Sequence, residues 1–130
     1  MRETLLEIKD LKKIYPLRLS GRGWFGKKER MCAVDHLSMT IEKGETYGLV
    51  GESGCGKSTT GRAIVGLSPA DSGSILYEGK DLCKMKEREM RSLRGELQMV
   101  FQNSLSALNP RLRIGEILEE ILKIHGVTEK

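Results

Sequence analysis

Residues 51–58 read GESGCGKS, three glycines closing on a lysine and a hydroxyl. This spacing, G-x-x-x-x-G-K-[ST], is the P-loop, and the chemistry it suits is the holding of phosphate groups. Gly51 lets an incoming strand turn sharply, and Gly54 and Gly56 let backbone N–H groups close around phosphate oxygens. Those N–H groups are the donors left unpaired at the start of a helix, where the helix dipole adds positive potential. In that setting Lys57 reaches the β- and γ-phosphates, and the Ser58 hydroxyl is aimed at Mg²⁺ as the metal ligand of the loop. Thr59 adds a hydrogen bond to the α-phosphate, while Glu52, Ser53 and Cys55 complete the cofactor-binding loop. With glycine at about 7% of residues, chance produces this pattern roughly once in a few hundred chains of this length. The expected ligand is a nucleoside triphosphate.

Such a loop has to be suspended between a strand and a helix. The run TYGLV before it reads as a short apolar strand, and the pattern from Lys57 to Leu67 turns helical, with Ile64, Val65 and Leu67 expected to face a sheet. Upstream, TLLEIKDLKKIY reads as an opening strand, and Leu37, Met39 and Ile41 alternate with polar residues as in a half-buried strand. Gly44 marks the turn of EKGE. Downstream, PADSG ends the helix, SILYEGKDL reads as strand with a turn at Gly79, and KEREMRSLRGE as a short surface helix. LQMVFQ reads as an apolar strand ending at Gln102, and NSLSALNPR as a polar loop closed by Asn109-Pro110. Ile114, Ile117, Leu118, Ile121 and Leu122 lie at helical spacing, with Gly126 as a C-cap.

The 130 residues suffice for one compact domain, and a composition of 38% hydrophobic and 31% charged residues is that of an ordinary α/β protein. Acids among the first apolar residues (Glu3, Glu7, Asp10) exclude a signal peptide, and no apolar run is long enough for a membrane span. Cys32, Cys55 and Cys83 form no CxxC pair, which argues for a reducing cytoplasm rather than a disulfide framework or zinc. The net charge of +4 is concentrated in one segment, PLRLSGRGWFGKKERM, and the remainder balances. No nucleic-acid partner is therefore expected. Trp24 and Phe25 in that loop either cover an edge of the domain or stack on bases or lipid headgroups with the basic residues.

GESGCGKST, the preceding IEKGETYGLV and the downstream LQMVFQNSLSALNPR together resemble the nucleotide-binding subunit of an ABC transporter, over nearly the whole chain. The likeness is greatest to the second ATPase subunit of di- and oligopeptide importers. It departs from that pattern at Asn103-Ser104, where Asp-Pro is usual. The resemblance implies an α/β P-loop NTPase (an ABC-type ATPase core) with an N-terminal antiparallel β element, truncated to its N-terminal half. Residues 1–103 would form part of that core, and 104–130 the start of a helical subdomain. ATP and Mg²⁺ are the implied cofactors, and peptide import the implied task of the intact protein. The resemblance also implies that Tyr15 stacks on adenine; from the residues alone it equally suits a strand-end aromatic capping the sheet. Gln102 is the implied Q-loop glutamine, touching Mg²⁺ and the attacking water, where residue type alone permits a solvated strand end. Lys57 and Gln102 are thus the catalytic candidates. Implied partners are permease transmembrane subunits, through loop 103–113, and a second ATPase subunit, at the cytoplasmic face of the membrane.

Several parts of such a machine are absent from the sequence. No LSGGQ-like signature occurs, and no apolar run ends in Asp-Glu; Glu119 and Glu120 fall on the polar side of a helical pattern. His36 and His125 are in the wrong places for a switch histidine. The chain on its own is expected to bind nucleotide without turnover and, with core strands unpaired, to be poorly soluble. Two rivals remain: a nucleotide- or partner-binding module without catalysis, and a small P-loop metabolite kinase using KEREMRSLR as a lid.

Overall fold

A computed structural model describes residues 3–17, 29–103 and 108–127. The chain divides into two compact units, Met1–Met99 and Val100–Lys130. The basic residues and aromatics at 18–28 lie outside the described residues, as do 104–107 of the polar loop.

The first unit is organised by two long strands, β1 (Thr4–Pro16) and β2 (Arg30–Glu42), paired antiparallel. β3 (Ser72–Tyr77) lies on the other side of β1, and the two-residue β4 (Lys80–Asp81) on β3, giving the sheet order β2-β1-β3-β4. A helix, α1 (Lys57–Ile64), follows the glycine loop, and α2 (Glu87–Leu93) follows a single 3-10 turn at Leu82–Lys84. Glu78 (φ 46) and Gly79 (φ 78) form the two-residue turn between β3 and β4. Positive φ at both positions is the geometry whose twist suits a tight hairpin.

The sequence pattern of β1 breaks in the middle, and the structure supplies the reason. Leu6 and Ile8 are buried, then Leu11, a step of three where a flat strand allows two. Between Ile8 and Leu11 the strand carries a bulge, with Asp10 at φ 53; β2 carries its own between Val34 and Leu37, with His36 at φ 50. Each extra residue switches which face the following side chains point to. These two bulges offset each other between Ile8 and Lys13, so that Leu11 and Val34 both reach the core; further register shifts lie between Thr4 and Leu6 and between Lys13 and Ile14. The Asp10 carboxylate meets the His36 ring at 2.5 Å, and the Asp10 N–H donates to Ser38 Oγ at 2.9 Å.

The core is formed by Leu6, Ile8, Leu11, Val34, Ala63, Ile75, Leu82, Met90 and Leu93. Full burial of Ile8, Leu11 and Ile75 contributes about 1.5–3 kcal/mol apiece. The face that α1 turns inward differs from the expectation. Thr60 and Ala63 are its buried residues, Ile64 and Val65 are half-buried, and Leu67 is 57% exposed. The helix ends at Ile64, and the chain reverses at Gly66, so Leu67 falls beyond the helical periodicity.

A charged side chain also enters this unit. Lys13 is buried, and its ammonium donates to the Pro69 carbonyl at 2.6 Å and pairs with Asp71 at 3.1 Å. The Ile14 N–H donates to Asp71 Oδ2 at 2.7 Å, and this bond, followed by Lys13, holds the Asp71 carboxyl below the usual carboxylate range. A depressed pKa stabilises the fold above the unfolded value and loses that contribution as pH falls through the folded value. Wild type is therefore expected to melt at a higher temperature than Asp71→Asn at pH 7. The difference should shrink below about pH 4, the unfolded value for aspartate. A difference that stayed constant from pH 7 to pH 2.5 would exclude the carboxylate as its cause.

Two expected strands do not form. Glu45–Val50, which includes TYGLV, and Leu97–Asn103, which includes LQMVFQ, belong to no strand, and Val50 and Val100 are each 93% exposed. A strand's backbone groups need a neighbouring ladder, and parallel neighbours arrive only through crossovers. Among the described residues every ladder lies within β1–β4, so these apolar runs have no strand to pair with.

In the second unit, α3 (Ile114–Ile124) buries none of its residues. Asn109 closes the turn before it, accepting from the Arg111 N–H at 3.0 Å. Gly126 (φ 75) ends it, with the Val127 N–H reaching back to Leu122 O at 2.9 Å.

Candidate functional site

The loop Gly51–Gly56 runs directly into α1, whose first residue is Lys57. Gly54 (φ 86) and Gly56 (φ 93) both hold left-handed backbone, which side-chain-bearing residues adopt only with strain. At Gly56 the requirement is doubled, because a Cβ there would stand 2.2 Å from the Ala33 carbonyl oxygen of β2. At Gly51 a Cβ would meet Cys55 Sγ at 2.6 Å. Bare backbone is what lets this loop fold tightly against β2.

Gly56 is the N-cap of α1. No side chain caps the helix start, and no acid stands in its first turn. The first-turn N–H groups of Lys57, Ser58 and Thr59 therefore have no acceptor within the helix, and the positive end of the helix dipole faces outward. The ammonium of Lys57 lies over the loop, donating to the carbonyls of Gly51 at 2.5 Å and Glu52 at 2.6 Å, and 3.3 Å from Cys55 Sγ. Glu52, Ser53 and Ser58 are exposed, and Thr59 is half-buried. Beside the loop lies a cavity of about 160 Å³ bounded by Val34, Asp35, Leu49, Gly56, Lys57 and Thr60.

Thr60 was not among the expected site residues. It is buried and its hydroxyl donates to the Gly56 carbonyl at 3.1 Å, so it fixes the point where loop becomes helix. Its position four residues after Gly56 was the one signal available in the sequence. The part taken by the Ala33 backbone left no trace there, since any residue has a carbonyl.

Tyr15 is half-buried near the end of β1, opposite Met31. Met31 lies two residues along β2 from Ala33, so sheet register brings Tyr15 toward the edge where Gly56 is seated. Its hydroxyl is 3.0 Å from Ser68 Oγ, and Lys13 Nζ stands 5.4 Å from its ring centroid. Gln102 belongs to the second unit, in an exposed segment without regular structure.

An uncapped helix start behind a glycine loop is shared by many phosphate-binding proteins. The ABC transporter family model matches residues 34–129, most of the chain. The chain belongs to the ABC transporter family. ABC relatives include the oligopeptide transport ATP-binding protein OppF of Salmonella typhimurium, 47% identical across 95% of this chain and 37% of its own length. Another is the dipeptide transport ATP-binding protein DppF of Escherichia coli, 41% identical over 100% of this chain and 38% of its own length. The chain thus spans little more than a third of the length of these curated relatives. Among solved structures, the dimeric structure of a bacterial ABC transporter cassette matches with a TM-score of 0.71 at 23% identity, covering 97% of this chain and 49% of that one. An ATP-binding subunit of an ABC transporter matches with a TM-score of 0.56 at 26% identity, covering 96% of this chain and 44% of that one. The fold is part of an ABC ATPase cassette. No helix among the described residues is long and apolar enough to cross a membrane.

Proposed function

We propose that the chain holds the triphosphate of ATP, with Mg²⁺, in the loop Gly51–Ser58, as part of the ATP-binding subunit of an ABC importer of oligo- or dipeptides. The observation that carries this reading is the pair of left-handed glycines, Gly54 and Gly56, directly before an uncapped helix. The loop is held in this conformation by packing that a Cβ at Gly56 would break against Ala33 O and one at Gly51 against Cys55 Sγ, which suits a loop that offers backbone N–H groups to a ligand. In this reading the N–H groups of residues 52–59 bind phosphate oxygens, and Lys57 turns from the loop carbonyls to the β- and γ-phosphates. The Ser58 hydroxyl would hold Mg²⁺, and the ion would supply neutralisation of phosphate charge. Tyr15 offers its ring to adenine, supported by the register that carries it toward Gly56. Gln102 would orient water and touch Mg²⁺. In this reading the partners are a permease, contacted through residues 103–113, and a second ATPase subunit, at the cytoplasmic face of the membrane; the names of the relatives, peptide transport ATP-binding proteins, support the transport role.

Displacement of a fluorescent ATP analogue from the chain tests this. ATP and ADP should both compete, with ATP favoured by Mg²⁺, and adenosine should compete far more weakly. Phosphate release should stay at background, because the sequence holds no Walker B carboxylate pair and no signature loop. Competition by adenosine as strong as by ATP would refute a phosphate cradle.

A further inference from the structure

We propose that Ser68 is a positioning residue for Tyr15, holding its ring edge-on so that one face is presented to the base of the nucleotide. This rests on the reading of Tyr15 as the base-stacking residue. The Tyr15 hydroxyl lies 3.0 Å from Ser68 Oγ, which tethers the far end of the ring. The near side is set by Lys13, whose ammonium lies 5.4 Å from the ring centroid, within range of cation–π attraction. Lys13 cannot swing away, because Pro69 O and Asp71 hold it at 2.6 and 3.1 Å. One face of the ring therefore packs under a cation, and a base would stack on the other.

Ser68 is itself held by α1. Its N–H donates to the Arg62 carbonyl at 3.2 Å, and the Leu67 N–H donates to the same oxygen at 2.9 Å. The segment after α1, reversed at Gly66 and tied back to Arg62 in the last turn of the helix, thus carries the hydroxyl that fixes Tyr15. The helix that begins at the phosphate cradle therefore anchors, through the Arg62 carbonyl, the short segment that fixes the aromatic platform. An aromatic ordered before binding loses less freedom when a base stacks on it, which strengthens binding of the base and leaves binding of phosphate alone unchanged.

The test titrates ATP and inorganic tripolyphosphate into the chain by calorimetry, for wild type, Tyr15→Leu, Tyr15→Phe, Ser68→Ala and the Tyr15→Phe/Ser68→Ala double variant. Tyr15→Leu should weaken ATP about tenfold or more through loss of stacking. Tyr15→Phe and Ser68→Ala should each weaken ATP about threefold to tenfold. The double variant should be no worse than either, because both remove the same bond. Tripolyphosphate affinity should be the same throughout. If Tyr15→Leu binds ATP like wild type, the stacking reading fails and the positioning role falls with it. If Tyr15→Leu weakens ATP while Tyr15→Phe and Ser68→Ala do not, stacking stands and the positioning role is overturned. A loss of tripolyphosphate affinity in Ser68→Ala would make Ser68 a support of α1 rather than of Tyr15, and would equally overturn it.

Discussion

Gly56→Ala should destabilise the chain by about 3 kcal/mol or more, while Gly54→Ala should cost only about 1–2 kcal/mol. Both glycines hold positive φ, 86 at Gly54 and 93 at Gly56, so each substitution carries the strain of left-handed backbone. They differ in their surroundings. A Cβ at Gly54 meets nothing within 4 Å, whereas one at Gly56 would stand 2.2 Å from Ala33 O and 3.3 Å from a Val34 methyl. Neither neighbour can move easily, since Ala33 belongs to the β2 ladder and Val34 to the core. The start of α1 would have to lift from the sheet, taking with it the Thr60 bond to Gly56 O. Urea denaturation of the two variants measures the difference directly through their midpoints at constant slope. Equal midpoints would show that φ strain alone decides, and that the contact with Ala33 has no energetic weight.

Lys57→Ala should weaken ATP by about tenfold to a hundredfold and leave adenosine nearly unaffected. A hydrogen bond between charged groups contributes about 1.5–3 kcal/mol, which is that range of affinity. The magnitude expected is the net of two terms. The ammonium already donates to the carbonyls of Gly51 and Glu52 and must leave them to reach phosphate. Phosphate oxygens, being anionic, are stronger acceptors for the ammonium than exposed carbonyls, so the exchange is favourable and the expected range is its net effect. Lys57→Arg keeps the charge and should recover only part of the loss, because a planar fork does not fit a site shaped for a compact ammonium. Competition titrations with ATP and adenosine separate charge from fold. A parallel loss for both ligands would mean that Lys57 acts by holding the loop together.

The glycine loop and its lysine could be read from the sequence because their chemistry is local. Positive φ, an uncapped helix start and a lysine one residue later depend on bonds within about ten residues. The same holds for the Glu78-Gly79 hairpin and the end of α3 at Gly126. Partners far apart in sequence left weaker traces. The bulges at Asp10 and His36 compensate each other across two strands, so neither strand alone reveals why Leu11 is buried. Nothing in Ser68 or Asp71 pointed to Tyr15 and Lys13, more than fifty residues away, until the sheet brought them together. The apolar pattern of TYGLV and LQMVFQ described residues able to be strands, and pattern alone cannot supply a neighbour. A ladder is a property of two segments, so the tertiary structure decided that β1–β4 form the sheet and that Val50 and Val100 stand exposed.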